Sequence, residues 1–217
     1  MEVVSFIQKL SLWAVPILAA VVLHELAHGY VAARCGDQTA ARLGRLTLNP
    51  FAHIDLFGTV LLPLLLLFSG APFLFGYAKP VPVNFLNLRN PRRDMVLVAF
   101  AGPAMNLLLA GVSAMVFKSL LSLQVPGNGL LATNLAVLAL MAKYSVLMNV
   151  GLAVFNLLPL PPLDGGRVAT GLLPHQPALA LARLEPYGMI ILLVLMTTGT
   201  LDQVLRPMTV FLLEALL

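Results

Sequence analysis

Charged side chains are scarce in this sequence. Asp, Glu, Lys and Arg make up 10% of its 217 residues, whereas 59% are hydrophobic. A soluble domain carries about 25% charged residues, so this composition excludes an ordinary soluble protein. The sequence also lacks a long polar stretch that could fold in water as a second domain. We therefore predict a single membrane-embedded domain over residues 1–217.

Cysteine is nearly absent as well. Cys35 is the single one, which excludes an internal disulfide and a cluster of thiolate metal ligands. No basic helix or aromatic platform of the kind that nucleic-acid binding needs is present, so no nucleic-acid partner is expected. The net charge of +4 comes mainly from loops between apolar segments, and positive loops are typical of the cytoplasmic side of membrane proteins.

Long apolar runs are what the sequence has in abundance. A bilayer-spanning helix needs roughly 20 apolar residues, and several stretches reach that length. The sequence predicts an all-α polytopic membrane protein surrounded by lipid, with about four to six transmembrane or re-entrant helices. The predicted segments are residues 10–33, 56–76, 94–122, 130–158 and 186–201, followed by a short C-terminal helix at 204–217.

Segment 56–76 does not fit a simple crossing. Arg45 precedes it, and Lys79 and Arg89 follow it, although positive loops stay on one side of a membrane. We therefore favour a segment that dips into the membrane and returns, with a crossing as the alternative.

The residues that follow, 77–83, are predicted to be extended. They alternate in polarity and include Pro80 and Pro82. Because proline cannot donate to a central ladder, the pattern indicates an edge strand. This would form a small β element between the first and the middle spans.

The first predicted span contains the motif His24-Glu25-Leu26-Ala27-His28. Histidines four positions apart lie on one face of a helix, where both can bind one Zn²⁺. Glu25 can take a proton from a zinc-bound water in this HExxH pattern. Ionisable groups within an apolar span are functional by default, although a solvated helix end at the membrane interface is the alternative.

A catalytic zinc usually has a third protein ligand, and Asp164 is the best candidate. It lies within a predicted loop and short helix at 159–173, between a proline-rich run and Gly165-Gly166, where the backbone can bend sharply. The alternative is that Asp164 caps a helix starting at Gly165, and the spacing leaves both interpretations open.

A second polar pair, His53 and Asp55, precedes segment 56–76. The pair could add a metal site or a gate over the first one. We favour a simpler interpretation, an interfacial turn in which Asp55 caps the helix that follows.

Three motifs, taken together, resemble the site-2 protease family. They are HELAH in the first span, AGPAMN at residues 101–106 and NLLPLPPLDGG at residues 156–166, and the likeness covers about residues 10–170. It implies one Zn²⁺ per chain, with His24, His28 and Asp164 as ligands and Glu25 as general base. It also implies that Asn156 lies near the active site and holds substrate or the developing oxyanion.

The resemblance further implies a membrane-protein substrate that is unwound and pairs with strands in the loop after the first span. The sequence shows no regulatory domain of the PDZ or CBS kind, so we expect a small subgroup of the family. The expected activity is that of a zinc-dependent endopeptidase acting in or near transmembrane segments. The expected location is the cell membrane, with the active site toward the cytoplasm. A membrane metal transporter or metal-dependent sensor using the same site is the alternative, and the sequence carries no signal for an oligomeric state.

Overall fold

Helices form the regular structure of this protein. The computed structural model describes residues 2–70, 76–123 and 129–217, with side chains from residue 12 onwards. Its helices are α1 (Glu2–Cys35), α2 (Thr39–Arg42), α3 (Leu62–Phe68), α4 (Pro91–Ser122), α5 (Leu130–Asn156), α6 (Asp164–Leu172), α7 (His175–Ala182), α8 (Gly188–Thr197) and α9 (Thr200–Leu216). A π-helical stretch at Leu56–Leu61 leads into α3, and short 3-10 turns lie at Pro50–His53, Phe85–Asn87 and Glu185–Tyr187.

Four helical stretches are long and apolar enough to cross a membrane. They are Leu12–Cys35, Pro91–Ser122, Leu130–Asn156 and His175–Thr197. The predicted all-α, polytopic class is therefore confirmed.

Small side chains let the central helices pack closely. Ala110 and Ala114 of α4 are buried against valines of α5, and leucines of α9 cover this cluster from the other side. In a membrane, where lipid is as apolar as leucine, close packing of small residues is a main source of helix association. The valines are Val146, Val150 and Val154, and the leucines are Leu205, Leu212, Leu213 and Leu216.

The start of α4 also holds the end of α6. Arg92 Nε donates to the carbonyl of Gly171 at 2.9 Å, and Arg92 Nη2 donates to the carbonyl of Leu173. The last carbonyls of a helix have no partner within it, so this arginine satisfies the C-terminal end of α6. The contact fixes α6, and with it Asp164, against α4.

The apolar segment after Asp55 begins and ends at neighbouring positions in the structure. The Tyr77 N–H donates to the carbonyl of Gly58 at 3.0 Å, and Thr59 Oγ1 donates to the carbonyl of Tyr77 at 2.9 Å. The apolar helical part, Leu56–Phe68, is about 20 Å long at 1.5 Å per residue, less than the roughly 30 Å of a hydrocarbon core. A short segment whose two ends are bonded to each other fits re-entry rather than a crossing.

The predicted small β element is wrong. Residues 77–83 form no helix, and no strand is assigned anywhere in the described ranges. The reason lies in the hydrogen bonds, because among the described residues no second strand forms a ladder with this segment. The Lys79 N–H donates to the carbonyl of His53 at 2.8 Å, the Val81 N–H donates to a carboxylate of α1 at 2.7 Å, and Pro80 and Pro82 have no N–H.

Candidate metal centre and active site

The two histidines of the HELAH motif converge on one point. His24 and His28 are both buried, and their Nε2 atoms lie 3.0 Å apart. One turn of α1 separates the residues, so the helix alone directs both rings to the same side.

Asp164 joins them from the far end of the sequence. Its Oδ2 atom lies 3.1 Å from His24 Nε2 and 3.3 Å from His28 Nε2. This oxygen is buried and has no hydrogen-bond partner, so neither imidazole is aligned to donate to it. The N-cap position of α6 is Leu163, and no side chain caps this helix. Asp164 therefore lies in the first turn of α6 and points at the histidines rather than capping the helix.

Hydrogen bonds on the other ring nitrogens decide the histidine tautomers. His28 Nδ1 lies 2.7 Å from the carbonyl of Val98, and a carbonyl can only accept. His24 Nδ1 lies 2.5 Å from Asn106 Oδ1, which likewise accepts. Both imidazoles therefore donate from Nδ1, and a neutral ring then has a free lone pair on Nε2. Metal-binding histidines are oriented in this way.

The three residues fit a bound metal ion. Their ligand atoms, two imidazole nitrogens and one carboxylate oxygen, all lie within 4.8 Å of one another. A buried carboxylate oxygen without a hydrogen-bond donor is costly in a protein interior, and a cation removes that cost. Three nitrogen and oxygen ligands with a further position open are the donor set of a catalytic zinc site.

Burial and the imidazoles act in opposite directions on Asp164. Burial alone would raise the pKa of its carboxyl, but the adjacent His24 and His28, when they are protonated and positively charged, lower that pKa to about 2. The carboxylate is therefore held in the ionised form that a metal ligand requires.

Helix α4 approaches the imidazoles at Gly102. A Cβ at this position would lie 2.6 Å from His24 Nε2 and closer still to His28 Nε2, so only glycine leaves room for the rings. Asn106 follows one turn later on the same face of α4, where it reaches His24. In the AGPAMN motif, Gly102 thus leaves room for the two imidazoles, and Asn106, four positions later, orients the His24 ring.

Asp164 is positioned by a close contact between two backbone segments, one at Gly165 and the other at Leu157 and Leu158. A Cβ on Gly165 would collide with the backbone of Leu157 and Leu158, which belong to the turn after α5. Because Gly165 has no side chain, α6 can start directly against that turn. Asp164, the residue before it, is thereby brought to the histidines.

Glu25 lies beside the histidines and is bonded to segment 77–83. Its Oε2 atom accepts a hydrogen bond of 2.7 Å from the backbone N–H of Val81. Glu25 and the three metal-ligand candidates all line one cavity of about 560 Å³. Asn156 lines the same cavity, and its Nδ2 donates to the carbonyl of Leu152 at 3.0 Å.

A second, mostly apolar cavity adjoins the first. It measures about 470 Å³ and shares Val21, Tyr77 and Phe155 with the first cavity as lining residues. It lies between α1, α5 and the re-entrant segment, so the site cavity has an apolar neighbour on that side.

His53 and Asp55 lie outside the metal cluster. Asp55 is the N-cap of the helical stretch after it, because its side chain accepts from the Gly58 N–H at 2.7 Å. His53 Nε2 bonds to the carbonyl of Thr47 at 2.9 Å. In the part of the chain that the structure describes, the group of metal-ligating side chains is His24, His28 and Asp164. The capping interpretation of Asp55 is confirmed.

From the sequence, Gly102 and Asn106 were recognised only as parts of the AGPAMN motif, without a role of their own. Their spacing of four, opposite two histidines with the same spacing, was a usable signal. The contact between Val81 and Glu25 left no such signal, because it joins a backbone group to a residue 56 positions away.

Comparisons with known proteins place the chain in a family. The sequence profile described as Peptidase family M50 matches residues 12–139 and 124–197. The chain belongs to peptidase family M50. The resemblance to site-2 proteases is therefore confirmed, and with it the metalloprotease class and a multi-pass membrane protein.

Several named proteins are similar to most of the chain. YwhC of Bacillus subtilis, named as a candidate zinc metalloprotease, is 41% identical over 89% of this chain and 84% of its own length. Rip2 of Mycobacterium tuberculosis, named in the same way, is 32% identical over 91% of this chain and 69% of its own length. Rip2 of Mycolicibacterium smegmatis is 29% identical over 86% of this chain and 66% of its own length. No solved structure gives a significant match.

Proposed function

We propose that this protein is a zinc-dependent endopeptidase that hydrolyses peptide bonds in or near transmembrane segments of membrane proteins. The observation that carries the proposal is the meeting of His24, His28 and Asp164 beside Glu25 in one cavity, at the end of apolar helices. Membership of M50 and the names of the relatives support zinc as the metal.

His24 and His28 would hold the ion through Nε2, and Asp164 would hold it through a carboxylate oxygen. One Zn²⁺ per chain follows from one such cluster in the described residues. When bound, zinc supplies Lewis acidity, which lowers the pKa of water and polarises a carbonyl. The hydrogen bonds that the His28 and His24 Nδ1–H groups donate to the Val98 carbonyl and to Asn106 Oδ1 keep both imidazoles in the ligand tautomer.

Glu25 acts as the general base. One carboxylate oxygen is anchored by the Val81 N–H, and the other can accept the proton of the attacking water. The carboxylate then passes that proton to the amine of the departing peptide. The anchor keeps the carboxylate fixed while the proton moves.

The substrate has to be extended at the bond that is cut, because helical carbonyls are shielded and already bonded. Most of residues 77–83 line the cavity, and the segment forms no helix, so an unwound peptide can lie beside it. Asn156 lines the same cavity and would bind the substrate or stabilise the oxyanion. The adjoining apolar cavity supports entry from the side of the lipid.

The active site faces the cytoplasm. The loops at its end of the helices carry Arg42, Arg45, Lys79 and Arg89, whereas the sequence between α4 and α5, residues 123–129, has no charge. Positive loops stay on the cytoplasmic side. Single cysteines at positions 45 and 89 in a Cys35→Ser background should therefore label only after the membrane is permeabilised; labelling from outside intact cells would contradict this orientation.

The activity is tested on the purified protein in detergent. We expect about one zinc per chain by elemental analysis, in line with a three-ligand site. A model transmembrane peptide should be cleaved, a chelator should stop cleavage, and added Zn²⁺ should restore it. Cleavage that a chelator leaves unchanged would contradict the proposal. Zinc uptake by proteoliposomes without cleavage would favour the transporter alternative.

A further inference from the structure

A chain of buried polar side chains runs from the metal centre into the helix bundle. Asn106 Nδ2 donates to Asn149 Oδ1 at 2.8 Å, and Asn149 Nδ2 donates to the carbonyl of Ser145 at 2.9 Å and to its Oγ at 3.2 Å. Ser145 Oγ lies 2.8 Å from Ser113 Oγ. The chain starts at His24 and crosses α1, α4 and α5.

Packing alone does not explain why these polar side chains are so deeply buried. Asn106 and Asn149 are 0% and 1% exposed, within helices that are long enough to span a membrane. Polar residues at such depth are costly, and those that are kept there usually serve a function.

The orientation of the Asn106 amide decides whether His24 can bind a metal. With Oδ1 toward His24, the imidazole donates from Nδ1 and its Nε2 is free. With the amide reversed, an NH₂ group would face Nδ1, the ring proton would move to Nε2, and the ligand atom would be blocked.

Groups around Asn106 select the first orientation. The carbonyl of Ala20 lies 3.2 Å from Asn106 Nδ2 and can only accept. Asn149 provides a second, shorter acceptor, and its own amide is fixed because the carbonyl of Ser145 also can only accept. The donor and acceptor roles along this chain of hydrogen bonds are therefore fixed from His24 as far as Ser145, a residue that does not contact His24.

We propose that Asn149, supported by Ser145 and Ser113, is a positioning residue of the metal centre: it locks the Asn106 amide and thereby the zinc-binding tautomer of His24. The inference rests on the proposed function, since it concerns affinity for the metal. It predicts that metal affinity depends on side chains of α4 and α5 that do not contact the ligands.

The test is the zinc dissociation constant of the full chain in detergent, measured by competition with a chromophoric chelator. Asn149→Leu keeps the branched shape of the side chain and removes the three hydrogen bonds of its amide. We expect it to weaken zinc binding by about tenfold or more, the size of effect typical of groups that orient metal ligands.

Val150→Ala is the matched control. Val150 is the next residue of α5, is 0% exposed and packs in the α4–α5 core, so its truncation should lower thermal stability. A purely structural role for Asn149 would make the two variants alike. The proposal requires Val150→Ala to keep its zinc affinity while Asn149→Leu loses it.

A milder double variant provides a second test in case Asn149→Leu does not fold. Ser113→Ala combined with Ser145→Ala removes two hydroxyls but leaves the Ser145 carbonyl, so zinc affinity should fall by less than in Asn149→Leu. Unchanged affinity in both the leucine variant and the double variant, or an equal loss in Val150→Ala, would overturn the proposal. If the unsubstituted protein binds no zinc, the proposed function itself fails, which is a distinct result.

Discussion

The backbone N–H of Val81 donates a 2.7 Å hydrogen bond to Oε2 of Glu25. This bond joins the first membrane helix to segment 77–83, at the cavity that His24, His28 and Asp164 also line. One carboxylate oxygen is thus anchored. The same bond connects the position of segment 77–83 to the position of the Glu25 carboxylate.

Replacing Glu25 with glutamine separates metal binding from catalysis. The amide oxygen of Gln can still accept from Val81, but it cannot take up a proton. We expect zinc content to remain, and cleavage to fall by about 10²–10⁴-fold, the usual contribution of a general base. Elemental analysis and peptide cleavage give the two readouts. Glu214→Gln, at an exposed carboxylate of α9, is the control, and proteolysis retained in Glu25→Gln would refute the assignment.

Gly102→Ala should damage the metal centre more than the helix. Alanine is the better helix former, but its Cβ would lie in contact with both imidazoles, and the overlap of crowded groups costs about 1–3 kcal/mol. We expect zinc affinity to drop while α4 still forms. Gly111→Ala is the matched control in the same helix, because a Cβ there meets no atom within 4 Å. Equal zinc affinity in the two variants would show that the imidazoles do not need the space that Gly102 leaves.

Gly165→Ala should separate Asp164 from the histidines. The added Cβ would collide with the backbone of Leu157, which cannot move as a flexible side chain can, so α6 has to shift. We expect weaker zinc binding and a lower melting temperature in detergent, with about 1–3 kcal/mol lost. Gly151→Ala, where a Cβ has no neighbour within 4 Å, should change neither quantity. A Gly165→Ala protein with normal zinc affinity would contradict this account of how Asp164 is placed.

Asp37 should make stability depend on pH in the acid range. Burial acts to raise the pKa of this carboxyl, but hydrogen bonds from Thr39, Asn87 and Asn84 outweigh it and lower the pKa below the usual 3.8. A carboxyl whose folded pKa is depressed contributes stability above its unfolded pKa and loses it as pH falls through the folded pKa.

Asp37→Asn tests this dependence. Near neutral pH we expect the variant to be about 1–3 kcal/mol less stable, because buried donors lose a charged acceptor. The difference should shrink as the pH falls below the usual 3.8, as followed by thermal unfolding in detergent. Asp202→Asn, at an exposed position of α9, serves as the reference. A difference that stays constant across this range would show that Asp37 acts without its charge.

The parts of the site that lie on one helix could be predicted from the sequence. His24, Glu25 and His28 follow from the period of an α-helix, and the long apolar runs fix the spanning helices. The strand at 77–83 was mispredicted because its alternation is local, whereas a ladder requires a partner strand. The carbonyl of His53 and the carboxylate of Glu25 take the places that such a partner would fill.

The sequence by itself therefore determined the membrane class, the face of α1 that carries His24 and His28, and the family. These depend on composition and on neighbours within one helical turn, which are short-range properties. Only the tertiary structure decided that Asp164 meets the histidines rather than capping α6, and that Asn106 fixes the tautomer of His24. Those contacts join residues 82 or more positions apart, and their geometry depends on helix packing that no local pattern encodes.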